Sequence, residues 1–253
     1  PCFDAPNEFF TSSMTCRVPK DMLVLSNGRK ASEKIDPATG LKVVTWEQEK
    51  PHVNYLISLV AGHFKRLQGK HGDLSMSFWT PPSEFAEAAN SFRETKQCME
   101  FMEKEIGVPY PWAKYDQVCV QDFTWGGMEN TSLTTLNAST LFSLETENIR
   151  SSQGLVAHEL AHQWFGDLVT CKDWSHIWLN EGFAIEAWYS VPSPRTNPAM
   201  KRPLVRLSSI ANSSAMFRGL SVIGSARPRT QILPFLMLRD SAPASRLGAG
   251  IMP

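Results

Sequence analysis

Cysteine is scarce and poorly spaced for pairing. The 253-residue chain holds five, Cys2, Cys16, Cys98, Cys119 and Cys171, odd in number and without a C-x-x-C pair. This argues against a disulfide scaffold and against a cysteine zinc site, and favours a reducing compartment such as the cytoplasm. No apolar run is long enough to span a bilayer, so no membrane segment is expected in this chain. Net charge is also missing: 25 bases balance 25 acids, which gives no case for a nucleic-acid partner. No internal repeat is visible. The opening "PCFDAPNEFF" lacks both a Met and a signal-peptide pattern, so we expect sequence upstream of it.

The balanced charge hides a change of composition. Residues 1–189 carry 24 acids and 16 bases; residues 190–253 carry nine bases, the single acid Asp240, and no Trp or Tyr. Rich in Pro, Ser and Arg, this tail offers few large anchors for a core. We expect a reading-frame error or a chimeric end there, with a divergent, disordered basic tail as the alternative. In either case Trp178, Phe183 and Trp188 before it would be left partly exposed.

What is present is a β-rich start. "DMLVLSNGRK" ends in the turn signal Asn27-Gly28, "DPATG" is a second turn, and "LKVVTWEQEK", "VNYLISLVAGHF" and "DLSMSFWT" read as strands. Pro81-Pro82 closes this region. From Ser83, read as a cap, to Gly107, read as a stop, apolar residues fall at helical spacing. "YDQVCVQDF" and "TSLTTLNAST" read as strands, and "SSQGLVAHELAHQWF" and "WSHIWLNEGFAIEAWYS" as helices.

The chemistry lies in "VAHELAHQWFGD", residues 156–167. Positions i and i+4 share a helix face, so His158 and His162 can face one ion, and imidazole nitrogen is a common zinc ligand. Glu159 sits beside them, placed to take a proton from the attacking water. A catalytic zinc takes three protein ligands and keeps one position open. Glu181 in "HIWLNEGF", with 18 residues between it and His162, is the candidate third ligand if the second helix runs antiparallel. His176 is its rival, and His52, His63 and His71 in the β region have weaker claims.

These motifs resemble the gluzincin aminopeptidases, the aminopeptidase N family that also includes leukotriene hydrolase. H-E-x-x-H, with 18 residues between its second histidine and the glutamate of "NEG", is one match. "GGMEN", Gly126 to Asn130, is similar to the family's exopeptidase motif, and "PCFDAP" resembles a segment of its N-terminal β domain. The resemblance covers residues 1 to about 189. It implies an α+β fold: the end of a β-rich N-terminal domain over 1–81 and a partial thermolysin-like catalytic domain over 82–189; the atypical tail over 190–253 lies outside it. It implies one zinc ion on His158, His162 and Glu181, Glu159 as general base, and Glu129 as partner of a substrate's free α-amine. Gly126, Gly127, Met128 and Asn130 would complete the substrate-binding strip. The activity implied is hydrolysis of the N-terminal bond of peptides; the alternatives are an inactive homologue that still holds zinc or peptide N-termini, and an epoxide hydrolase. The family's oxyanion-binding tyrosine has no counterpart here, since the last tyrosine, Tyr189, lies too near Glu181.

Overall fold

Alternation along the first strands decides which face they bury. In the computed structural model, which describes residues 4–146, 149 and 151–191 and the backbone of 220–222, β1 (Phe9–Val18) pairs antiparallel with β4 (Lys42–Val53), which pairs in turn with β3 (Arg29–Ile35). The β3–β4 turn is shaped by Asp36, whose carboxylate accepts from the Ala38 N–H and the Thr39 hydroxyl. β2 (Leu23–Ser26) does not form a hairpin with β3 across Asn27-Gly28; it pairs with β5 (Leu59–Gly62). Asn27-Gly28 is instead a corner between two sheets. Gly28 has φ +72°, and a Cβ there would lie 2.0 Å from the Glu47 carbonyl oxygen. Asn27 is buried and donates to the carbonyls of Leu56 and Thr131.

A five-stranded mixed sheet carries the second half. It contains β6 (Lys65–His71), β7 (Leu74–Thr80), β8 (Tyr115–Val120), β9 (Gly127–Met128) and β10 (Leu133–Asn137), in the order β6-β7-β8-β10-β9. β7, β8 and β10 are parallel, with antiparallel strands at both edges. β8 and β10 are buried almost throughout, as expected of inner parallel strands. β6 and β7 therefore belong to the same sheet as β8, and the sheet runs on across the expected division at 81/82.

The helical period from Ser83 to Gly107 yields three pieces: a 3-10 stretch Pro82–Glu87, α1 (Ala88–Ser91) and α2 (Thr95–Ile106). The break at 92–94 lets Phe92 bury its ring on Phe78, stacked at 4.9 Å, and turns Thr95 inward to donate to Gln117. Ser83 caps nothing, whereas Gly107 closes α2 in the left-handed region at φ +78°. α3 (Gln153–His162), β11 (Val169–Cys171) and α4 (Trp178–Ser190) follow. The architecture is α+β, strand-rich first and helical later. α2 and α4 pack on α3 around Met99, Met102, Leu160, Trp164, Leu179 and Ala184. A second apolar cluster joins Val24, Leu25, Val44 and Trp46 to Val118 and Leu133 of the mixed sheet.

Most of the tail, 192–219 and 223–253, lies outside the described residues. Its strand β12 (Leu220–Val222) pairs antiparallel with β11. Of the three side chains expected to be exposed beside it, Trp178 and Trp188 are, at 61% and 41%, but Phe183 is buried because its ring stacks on Phe165. No helix among the described residues is long and apolar enough to cross a membrane.

Candidate metal centre

α3 sets the geometry. One helical turn brings His158 Nε2 to 3.2 Å from His162 Nε2, with the rings nearly perpendicular. Gly166, at φ +131°, ends the run after α3, and the chain returns through β11 into α4. Glu181, in the first turn of α4, then presents Oε2 at 3.4 Å from His158 Nε2 and 3.6 Å from His162 Nε2. Three ligand atoms thus converge, and among the described residues this is the one such group of His, Cys, Asp or Glu.

The donor set fits a small tetrahedral cation. Bonds of about 2.0–2.1 Å to a tetrahedral ion place its ligand atoms about 3.3 Å apart, against 3.2, 3.4 and 3.6 Å here. His162 Nδ1 lies 2.9 Å from the Phe165 carbonyl, to which it donates, so its Nε2 is the ring nitrogen left to face the other two groups. Burial alone would hold the His162 ring neutral, yet the carboxylates of Glu129, Glu181 and Glu159 outweigh it and raise its pKa. The site therefore attracts positive charge. The two imidazoles hold the Glu181 carboxyl far below the usual carboxylate range, against the effect of burial.

Glu159, between the histidines in sequence, is buried against the "GGMEN" strip. A Cβ on Gly127 would lie 2.3 Å from Glu159 Oε1, so glycine is required for this approach. Burial pushes the Glu159 carboxyl up to about 8; the His162 charge opposes this, and Glu129 and Glu181 add to it. Gly126 fits tightly over Leu155 of α3, and Met128 is half-buried in β9 opposite Thr135. Glu129 is buried near enough to act electrostatically on both Glu159 and His162. Asn130 is different. Its side chain accepts from the Thr135 hydroxyl and donates towards the Leu56 carbonyl, so its polar atoms are engaged within the protein.

The rival histidines lie elsewhere. His176 sits on a separate 3-10 turn, paired with Asp173. His52 is buried beside Ser12, His63 faces Asp21, and His71 pairs with Glu103. Sequence reasoning missed the supports. Gln163 spans from α3 to the Glu129 loop. Asn180, quoted in "NEG" but given no role, accepts from the Cys171 N–H and donates to the Tyr55 hydroxyl. Asp167 is buried, which raises its pKa, with Glu129 adding to the rise. Their signal was adjacency to the motifs and nothing more.

Residues 90–213 match the model of the peptidase family M1 domain, and residues 1–56 that of the peptidase M1 N-terminal domain. Aminopeptidase M1 of Arabidopsis thaliana is 33% identical over 195 residues, 75% of this chain and 22% of the relative. Probable aminopeptidase 2 of Sulfurisphaera tokodaii is 32% identical over 187 residues, 73% of this chain and 24% of the relative. Aminopeptidase N of Canis lupus familiaris is 34% identical over 193 residues, 73% of this chain and 20% of the relative. The chain thus spans between a fifth and a quarter of the length of these relatives. The family match runs beyond 189, the limit of the resemblance read from the motifs. With both domain models matched in order, and the motif residues gathered at one point of the fold, the chain belongs to the peptidase M1 family.

Proposed function

We propose that this chain carries the core of a zinc metallo-aminopeptidase, with one zinc ion held by His158, His162 and Glu181. The observation that carries the reading is the convergence of three ligand atoms at tetrahedral spacing beside a buried carboxylate. The relatives' names support the choice of reaction. Bound there, zinc would supply Lewis acidity that polarises the scissile carbonyl and acidifies water.

The chain's own groups do the rest. Glu159 accepts the proton of the attacking water and passes it to the leaving amine. Glu129 meets the free α-ammonium of the substrate in a charge-assisted contact, which sets the register so that the first peptide bond is the one cut. Gly126 and Gly127 keep the strip thin enough for a backbone to lie along it, and Met128 faces the first side chain.

The test is zinc content together with release of the N-terminal residue from free and N-acetylated peptides. The reading expects about one zinc per chain and cleavage of the free peptides alone. Equal rates on both would sink the exopeptidase assignment. Zinc without release would favour the second reading, an inactive homologue.

A further inference from the structure

We infer that Gln163 is the positioning residue that sets Glu129 against the histidine pair. The inference rests on the proposed amine-binding role of Glu129. Gln163 follows His162 directly and is fully buried. Its Nε2 donates to the Glu129 carbonyl at 2.9 Å, and its Oε1 accepts from the Ser132 N–H at 2.9 Å. One side chain leaving the end of α3 thus grips both ends of the four-residue loop from Glu129 to Ser132.

That loop is strained. Ser132 sits in the left-handed region at φ +64°, which a residue with a Cβ adopts at a cost. Every polar group of Ser132 is held: its N–H by Gln163, its Oγ by the Gly28 N–H at 2.7 Å, and its carbonyl by the Asp116 N–H and Lys114 Nζ. Such a conformation persists where its surroundings over-determine it. The result is a rigid link in which the turn that fixes His162 also fixes the backbone of Glu129. The distance between amine partner and metal cluster, which decides the bond that is cut, is then set by Gln163 rather than by loop flexibility.

The test uses the full zinc-loaded chain and two probes, L-leucinamide and N-acetyl-L-leucinamide, with binding read by calorimetry and zinc by metal analysis. The unmutated chain should prefer the free amine by roughly tenfold or more, as a buried charge-assisted contact gives. Gln163→Met should retain its zinc and lose most of that preference. Gln163→Glu keeps an acceptor for Ser132 but sets an oxygen against the Glu129 carbonyl, so it should lose the preference too. Tyr110→Phe removes only the hydroxyl 3.0 Å from Gln163 Oε1 and should keep it. A Gln163 variant that is less stable but keeps the full preference would reduce Gln163 to a purely structural role and overturn the inference. Equal binding of both probes by the unmutated, zinc-loaded chain would instead fail the reading of Glu129, and this inference with it.

Discussion

At the scale of single residues, burial decides which groups titrate unusually, and two predictions belong here. His52 is fully buried, and burial pushes its pKa down to about 4 from an ordinary value of 6.5. The folded state therefore prefers the neutral ring. Its contribution to stability is complete above pH 6.5 and is lost as pH falls through 6.5 towards 4, by about 3 kcal/mol at most. Urea titrations across that window should show the fall, and His52→Gln should flatten it; an unchanged slope in the variant would assign the pH dependence to other groups. On the proposed mechanism, Glu159→Gln should keep zinc and lose at least about a hundredfold in hydrolysis, since the amide cannot accept the proton. Retained turnover would remove Glu159 from the reaction. The residue scale is also where the sequence was most legible. Two histidines four apart on a helix meet by local geometry alone, so the His158–His162 contact needed no knowledge of the fold.

At the scale of elements, legibility falls wherever partners come from distant parts of the chain. Glu181 could be brought back only if α4 folds antiparallel onto α3, which the 18-residue spacing suggested and the packing provides. Asn27-Gly28 reads locally as a hairpin turn, yet β2 pairs with β5, because the corner is fixed by bonds to Leu56 and Thr131 far along the chain. The break in the helical run at 92–94 has the same origin: it follows from a stacking partner on β7 that no local period records. Gly127 shows how one element constrains another. Gly127→Ala would drive a methyl into Glu159, so we predict retained zinc and a loss of activity on the order of a hundredfold, the usual cost of misplacing a reacting group by about an ångström. Gly107→Ala is the control. Its Cβ would meet nothing, so only the left-handed backbone is penalised, by about 1 kcal/mol in thermal unfolding and with no effect on zinc. If both variants lose activity equally, the contact between β9 and α3 is not the cause.

At the scale of the whole molecule, the mixed sheet and the strand-rich start share an apolar layer, with buried Lys114 held between Asp116 and the Ser132 carbonyl. The candidate centre is assembled by α3, α4 and the β9–β10 region of this body, so an ion bound there would bridge separate elements and stabilise the native state alone. At a thousandfold excess over its dissociation constant that is worth about 4 kcal/mol, and chelation should lower the melting midpoint by roughly 10 °C. The composition shift after 189 was legible at this scale, but what it means for the fold was not: β12 pairs with β11 through its backbone, which composition does not encode. The central claim is the three-residue zinc site, and its most direct test is zinc bound per chain, measured after metal loading and dialysis, in the unmutated protein and in His158→Ala, His162→Ala and Glu181→Ala. The account predicts about one zinc in the unmutated chain and a large loss in each variant, since two remaining ligands hold the ion poorly. Less than roughly a tenth of an equivalent in the unmutated chain, or full occupancy in all three variants, would contradict it.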